Sequence, residues 1–236
     1  MLLFDNLTRR RGARTVLDRV AFEARPGRVT AFLGPNGAGK SSALRTLLGL
    51  DATDDGRALV NGAPYRRLRE PLRVVGSMLD GSGAHRSRRA RDHLLWIARA
   101  GGIPRRRVDE ALQQVGLADA ARMRVGQFSL GMGQRLGLAA ALLGDPEALV
   151  LDEPVNGLDP EGIRWMRGLL REHADRGGTV LLSSHLMSEV ADVADDLAVI
   201  AGGRIVARGT LGEVTAGHPT LEEAFFALTD GRGERR

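Results

Sequence analysis

The pattern of apolar and polar positions changes character twice along the 236 residues. Near the start, short apolar runs at 2–7, 16–24 and 29–33 read as strands, separated by the polar stretch 9–14 and by Arg25-Pro26-Gly27. A helical period covers 42–50, and a polar loop follows at 51–56. Residues 57–60 with the turn Asn61-Gly62 suggest an edge hairpin, and 74–79 reads as a short core strand. From Gly81 the period becomes helical, over 90–100, 105–115 with Pro104 at a start position, and 132–143. After Glu147, alternation returns. A strand ends at Leu151, helices fit 160–173 and 187–194, strands fit 179–182, 198–200 and 204–207, and a helical tail covers 211–229. Strands alternating with helices predict a parallel α/β core. Antiparallel strands precede that core here, and a helical insertion at 81–145 interrupts it.

The strand at 29–33 runs into Gly34-Pro35-Asn36-Gly37-Ala38-Gly39-Lys40-Ser41-Ser42, and a helix follows. The spacing G-x-x-x-x-G-K-S in that strand–loop–helix context is a phosphate-binding loop. Glycines let successive backbone N–H groups curl around phosphate oxygens, and the helix N-terminus adds partial positive charge. Lys40 is placed to reach the outer phosphates of a nucleoside triphosphate, and Ser41 to offer a hydroxyl to Mg²⁺. Composition supports Lys40, the single lysine among 34 basic residues, the remainder being arginine. It stands where a compact point charge suits a crowded phosphate site better than a planar fork.

A second apolar strand ends in Asp152 and Glu153. Ligands of parallel α/β sheets sit beyond the carboxyl ends of strands. Asp152 is therefore a candidate Mg²⁺ ligand, and Glu153 a candidate base for an attacking water.

Net charge is +5, with arginine clusters at 9–11, 66–67, 86–91 and 105–107. A solvated surface, a nucleic-acid contact and attraction to anionic lipid headgroups all fit such clusters. One Tyr and two Trp leave few stacking platforms for single strands. The absence of cysteine excludes a disulfide framework and thiol chemistry. The first residues lack the charged-then-apolar pattern of a signal peptide. No stretch approaches the ~20 apolar residues of a membrane span.

Four further stretches, in order, resemble one family. Ser129-Leu130-Gly131-Met132-Gly133-Gln134-Arg135 is similar to the signature loop of ATP-binding cassette (ABC) proteins. Val155-Asn156-Gly157-Leu158-Asp159-Pro160 resembles their D-loop, Ser183-Ser184-His185 their switch-histidine loop, and 142–146 the stretch before their second acidic strand. With the phosphate loop, the likeness covers about 1–230. It implies a single ABC ATPase domain, with an α/β P-loop NTPase core and β subdomain at 1–80 and 146–210, a helical signature subdomain at 81–145, and a short helical tail at 211–236.

The resemblance implies an ATPase using ATP and Mg²⁺, with two cassettes packed head to tail. Lys40, Glu153 and His185 would be catalytic. Ser129 and Gly131 would bind the γ-phosphate of the partner's ATP, and Asp159 would couple the two sites. Ser41, Asp152 and Asp80 would serve the metal. Asp80 stands where the family usually has glutamine, Arg11 where it usually has an adenine-stacking aromatic, Leu130 where a glycine is common, and Gly133 where a basic residue is frequent. The expected partners are a separate integral-membrane permease and a second copy or homologous ATPase, at the cytoplasmic face of the cell membrane, with no nucleic acid. Export of a drug, antibiotic or lipid-like substrate is the expected task. The competing readings are a non-transport cassette acting on nucleic acid or ribosomes, and a small-molecule kinase.

Overall fold

The computed structural model describes residues 1–79 and 81–229. In chain order they form β1 (Leu2–Arg11), β2 (Arg14–Ala24), β3 (Arg28–Leu33), α1 (Lys40–Leu47), β4 (Asp55–Val60), α2 (Pro71–Val74), β5 (Val75–Met78), α3 (Ala90–Ala100) and α4 (Arg106–Gln114). There follow α5 (Leu130–Leu142), β6 (Ala148–Asp152), α6 (Pro160–Asp175), β7 (Thr179–Ser184), α7 (Met187–Ala191), β8 (Asp196–Ala201), β9 (Arg204–Thr210), α8 (Leu211–Thr215) and α9 (Leu221–Thr229). The chain divides into two compact units, Met1–Leu68 with Leu170–Arg236, and Arg69–Leu169.

In the first unit, β2, β1 and β4 form an antiparallel sheet with β1 in the middle. The alternating pattern of β1 and β2 puts Phe4 opposite Phe22, with rings stacked at 4.4 Å, and Phe32 of β3 lies 4.9 Å from Phe22. Aromatic pairs at such distances are worth about 0.5–1.5 kcal/mol beyond their buried area. β3 pairs in parallel with β7 on one side and β8 on the other, and β9 closes antiparallel on β8. All six residues of β7 are buried, which explains a run of apolar and small residues without alternation. Arg28 holds Asp196 through two hydrogen bonds, at 2.5 and 2.7 Å. Asp195 accepts from the Val29 amide at 2.8 Å and from Arg171 at 2.9 Å. These contacts fix the entry to β3.

The expected hairpin at 57–62 forms its turn but not its second strand. Asn61 and Gly62 take the left-handed conformation, at φ 48° and 81°. The chain then returns only through an isolated Val60–Ala63 bridge, and β4 takes β1 as its partner, with Leu2 opposite Val60. A local turn signal does not say which strand satisfies the edge.

In the second unit, β5 and β6 pair in parallel, with Met78 opposite Leu151. The described part of 81–145 carries α3, α4 and α5, as the helical period predicts. The compact unit is wider than that segment. It also takes in α2, both strands and the first part of α6.

Candidate functional site

The sheet of the first unit delivers the phosphate loop and the switch histidine to one edge. Leu33, the last residue of β3, is the register partner of Ser184, the last of β7. Gly34 and His185 therefore leave the sheet at the same level, His185 exposed to solvent. Residues 34–39 loop round to α1, which begins at Lys40. No side chain caps α1 at Gly39, so the helix opens from the loop through its backbone. Gly37 is exposed, and nothing lies within 4 Å of the place a Cβ would take. Gly39 adopts φ 114°, and a Cβ there would stand 2.8 Å from Leu17 Cδ2. Lys40 is buried, and its ammonium donates to Gly34 O at 2.6 Å and Pro35 O at 3.4 Å, spanning the loop's own mouth. Ala38 closes the turn through its amide to Pro35 O at 3.1 Å. Pro35, Asn36 and Ser41 are exposed and Ser42 is half-buried. A helix start with no side-chain cap, glycine lining and a buried cation are the donor set a polyphosphate requires.

Arg11 ends β1 exposed, opposite Arg14 across the turn. Val16 and Leu17 of the same hairpin touch the Gly39 site. The Arg11–Arg14 pair thus stands about three strand positions, roughly 10 Å, from the loop.

In the second unit, Asp152 closes β6, nine-tenths buried, and Glu153 follows in the left-handed region at φ 51°. A non-glycine residue held there costs on the order of 1 kcal/mol or more, a strain that gathers at functional sites. Glu153 is half-exposed at this turn. Ser129 is the N-cap of α5, its Oγ accepting from the Met132 amide at 3.2 Å. That cap starts the helix two residues earlier than the apolar period suggests. Asp159 caps α6 in the same way, Oδ1 accepting from the Gly162 amide at 2.7 Å. The two loops meet. A Cβ on Gly131 would lie 3.0 Å from Gly157 O, and one on Gly157 would lie 2.3 Å from Leu130 Cδ2. Glycine at 157, with φ 76°, is what admits the Leu130 side chain, which nevertheless stays 70% exposed.

Met78, the last residue of β5, is the register partner of Leu151, one residue before the end of β6. Asp80, the expected third metal ligand, lies outside the described residues. Among the described residues, no cluster of three or more His, Cys, Asp or Glu is arranged to hold a metal unaided. A hydroxyl at Ser41 and a carboxylate at Asp152 are oxygen donors of the kind Mg²⁺ prefers. Mg²⁺ commonly takes one or two protein oxygens and completes its shell from phosphate and water. Taken one by one, these oxygen donors fit Mg²⁺ carried with a nucleotide.

Three features were not readable in advance. They are the left-handed Glu153, the seat of Leu130 on Gly157, and an Arg135 guanidinium 4.4 Å over the Trp165 ring. Arg135 also donates to Val115 O at 3.1 Å, tying α5 to both α4 and α6. Only the glycine within the D-loop pattern hinted at any of these.

The ABC transporter family model matches residues 17–156, more than half of the chain. The lantibiotic transport ATP-binding protein SrtF of Streptococcus pyogenes is 37% identical over 225 residues, spanning 95% of this chain and 96% of that protein. The bacitracin transport ATP-binding protein BcrA of Bacillus licheniformis is 40% identical over 204 residues, 85% of this chain and 67% of that one. Among solved structures, an ATP-binding subunit of an ABC transporter superposes with a TM-score of 0.88 at 27% identity, covering 97% of this chain and 99% of its own. A dimeric post-hydrolysis ATP-binding cassette bound to ADP and Pi has the same fold, at a TM-score of 0.79 and 21% identity.

Proposed function

The chain belongs to the ABC transporter family, and from that premise we propose that it is the ATP-hydrolysing subunit of an exporter. It acts as one of two cassettes packed head to tail, the second being another copy or a homologous subunit, and it drives a separate permease from the cytoplasmic face of the membrane. The observation that carries this reading is the glycine-lined loop leading into α1 without a side-chain cap, around buried Lys40, with His185 leaving the sheet at the same level.

The loop 34–42 binds the ATP phosphates through backbone amides and Lys40, and Arg11 stacks on the base through its guanidinium plane. Ser41, Asp152 and Asp80 would hold Mg²⁺, which would supply neutralisation of phosphate charge. Glu153 accepts the proton of the attacking water as the γ-phosphate bond breaks. His185 supports that water and touches the γ-phosphate. Ser129 and the amides near Gly131 bind the γ-phosphate on the partner's nucleotide, and Asp159 links the two sites. The relatives named for lantibiotic and bacitracin transport support an antibiotic-like, drug-like or lipid-like cargo.

The test is Glu153→Gln. Wild-type protein with Mg-ATP releases phosphate. The variant loses turnover by at least about 10²-fold, the usual worth of a positioned base, while retaining ATP and accumulating as an ATP-bound dimer on size exclusion. Undiminished turnover in the variant removes Glu153 from the mechanism.

A further inference from the structure

The second unit carries an arginine ribbon that the nucleotide chemistry does not use. Residues 86–91 run antiparallel beside 121–126. The Gly126 amide donates to Arg86 O at 2.8 Å, Val125 to Arg88 O at 3.0 Å, Ala90 to Met123 O at 3.1 Å and Arg91 to Ala121 O at 2.9 Å. Arg89 and Arg124 are bridge partners. This pairing places Arg86, Arg88 and Arg89 on one side of a narrow ribbon and Arg122 and Arg124 on the other. Apart from Arg88, all of these are exposed. Like charges directly opposite one another destabilise a paired ribbon unless something anionic covers them.

Other arginines of this chain have internal partners. Arg91 holds Asp109 at 2.7 and 2.9 Å, and Arg107 holds Glu110 at 2.7 Å. Arg86, Arg89, Arg122 and Arg124 make no ion pair among the described residues. Asp92 and Asp119 border the ribbon in sequence, too few to neutralise it.

Beside this charge stands apolar surface. Trp96 is 59% exposed, one of the largest apolar side chains turned outward, and the Arg88 guanidinium lies 5.2 Å over its ring. Met123 of the ribbon is 38% exposed, and Arg99 is exposed one turn along α3 from Trp96. Interfacial lipid contacts have this composition. The body of a tryptophan sits at the headgroup level, and arginines around it meet phosphates. Binding of a single-stranded nucleic acid would call for several stacking rings, and this face has one, already covered by Arg88. Among the described residues no helix is long and apolar enough to cross a membrane.

We propose that the ribbon formed by Arg86, Arg88, Arg89, Arg122 and Arg124, with Trp96 and Met123, docks on anionic phospholipid headgroups. The contact is electrostatic with a shallow apolar anchor, so it weakens as salt rises. It does not depend on ATP hydrolysis, and its failure is read separately from that of the ATPase assignment.

The experiment is co-sedimentation of the full chain with vesicles of phosphatidylglycerol and phosphatidylcholine in about a 3:7 ratio, and with phosphatidylcholine alone. Binding is expected to the first and not to the second. Arg86→Glu/Arg89→Glu/Arg122→Glu should lower the partition coefficient by at least about tenfold, in line with the contribution of each basic residue near an anionic surface. The same variant should keep its ATP turnover in vesicle-free buffer, which shows that it is folded. Arg67→Glu/Arg164→Glu reverses two exposed arginines elsewhere and should change partition by less than about twofold. In a Trp165→Phe background, Trp96 emission should shift to the blue on phosphatidylglycerol vesicles. Equal binding to both vesicle types, an unchanged partition in the triple variant, or tighter capture of mixed-sequence RNA than of anionic vesicles overturns the proposal.

Discussion

Two glycines of the phosphate loop separate backbone conformation from available space. Gly37 and Gly39 both lie in the left-handed region, at φ 77° and 114°. A methyl on Gly37 meets nothing, whereas one on Gly39 presses on Leu17 and on Val16 O, at 2.8 and 3.0 Å. Gly39→Ala therefore carries both a backbone and a packing penalty, of order 1–3 kcal/mol, and Gly37→Ala the backbone part alone, about 1 kcal/mol. A thermal scan of the two variants should show Gly39→Ala melting several degrees lower, on the order of 2–4 °C per kcal/mol for a chain of this size. Equal midpoints would mean that β2 yields and that the hairpin is not fixed against the loop. The comparison bears on function, because that contact connects the hairpin carrying Arg11 to the loop that would hold the phosphates.

At the scale of elements, α5 is where a stability role and a binding role share one atom. Ser129 Oγ caps the helix through the Met132 amide, and the proposed mechanism also gives it a phosphate on a second subunit. Ser129→Ala removes both roles and should cost about 1 kcal/mol of stability. Ser129→Asp keeps a capping oxygen but sets a carboxylate where a phosphate must approach. It should hold the wild-type melting midpoint while losing turnover by about tenfold or more. Full turnover in Ser129→Asp would reduce Ser129 to a cap. The apolar period places this helix two residues late, at Met132, because it does not register the cap, whereas the strand–loop–helix context of Lys40 is local and legible. What could not be read depends on residues far apart in the chain. β4 joins β1 across some fifty positions, and Arg135 lies over Trp165 thirty residues on. Neither has a periodic or capping signature. Glu153 is illegible for another reason: nothing in its neighbours demands a left-handed backbone, and only the finished turn reveals it.

At the scale of the whole molecule, burial makes stability sensitive to acid through a group that sequence patterning leaves unremarked. His93 lies on the buried face of α3, only 4% exposed. Burial, above all, holds its pKa below the ordinary value of 6.5; the nearby Arg88 cation adds to this, and the Ser82 backbone opposes it weakly without closing a hydrogen bond. In the unfolded chain the ring takes up a proton near its ordinary value, while in the folded chain it stays neutral to lower pH. The unfolded state thus binds more protons in the window below about 6.5, and stability falls as pH falls through it. Above that window both states hold the ring neutral and the effect vanishes. Thermal midpoints of wild type and His93→Leu, followed from about pH 7.5 down to about pH 5, should diverge in slope. The wild type should lose stability more steeply, because the leucine variant has no proton to take up and fills the same apolar site. Parallel slopes would mean that the buried ring admits its proton at no cost, with Arg88 turned away from it. The same guanidinium that disfavours the His93 proton is stacked on Trp96 at the proposed lipid-facing surface. Neutralising Arg88 by Arg88→Gln should therefore flatten the wild-type slope part of the way, which places the acid sensitivity and the basic face in one electrostatic unit.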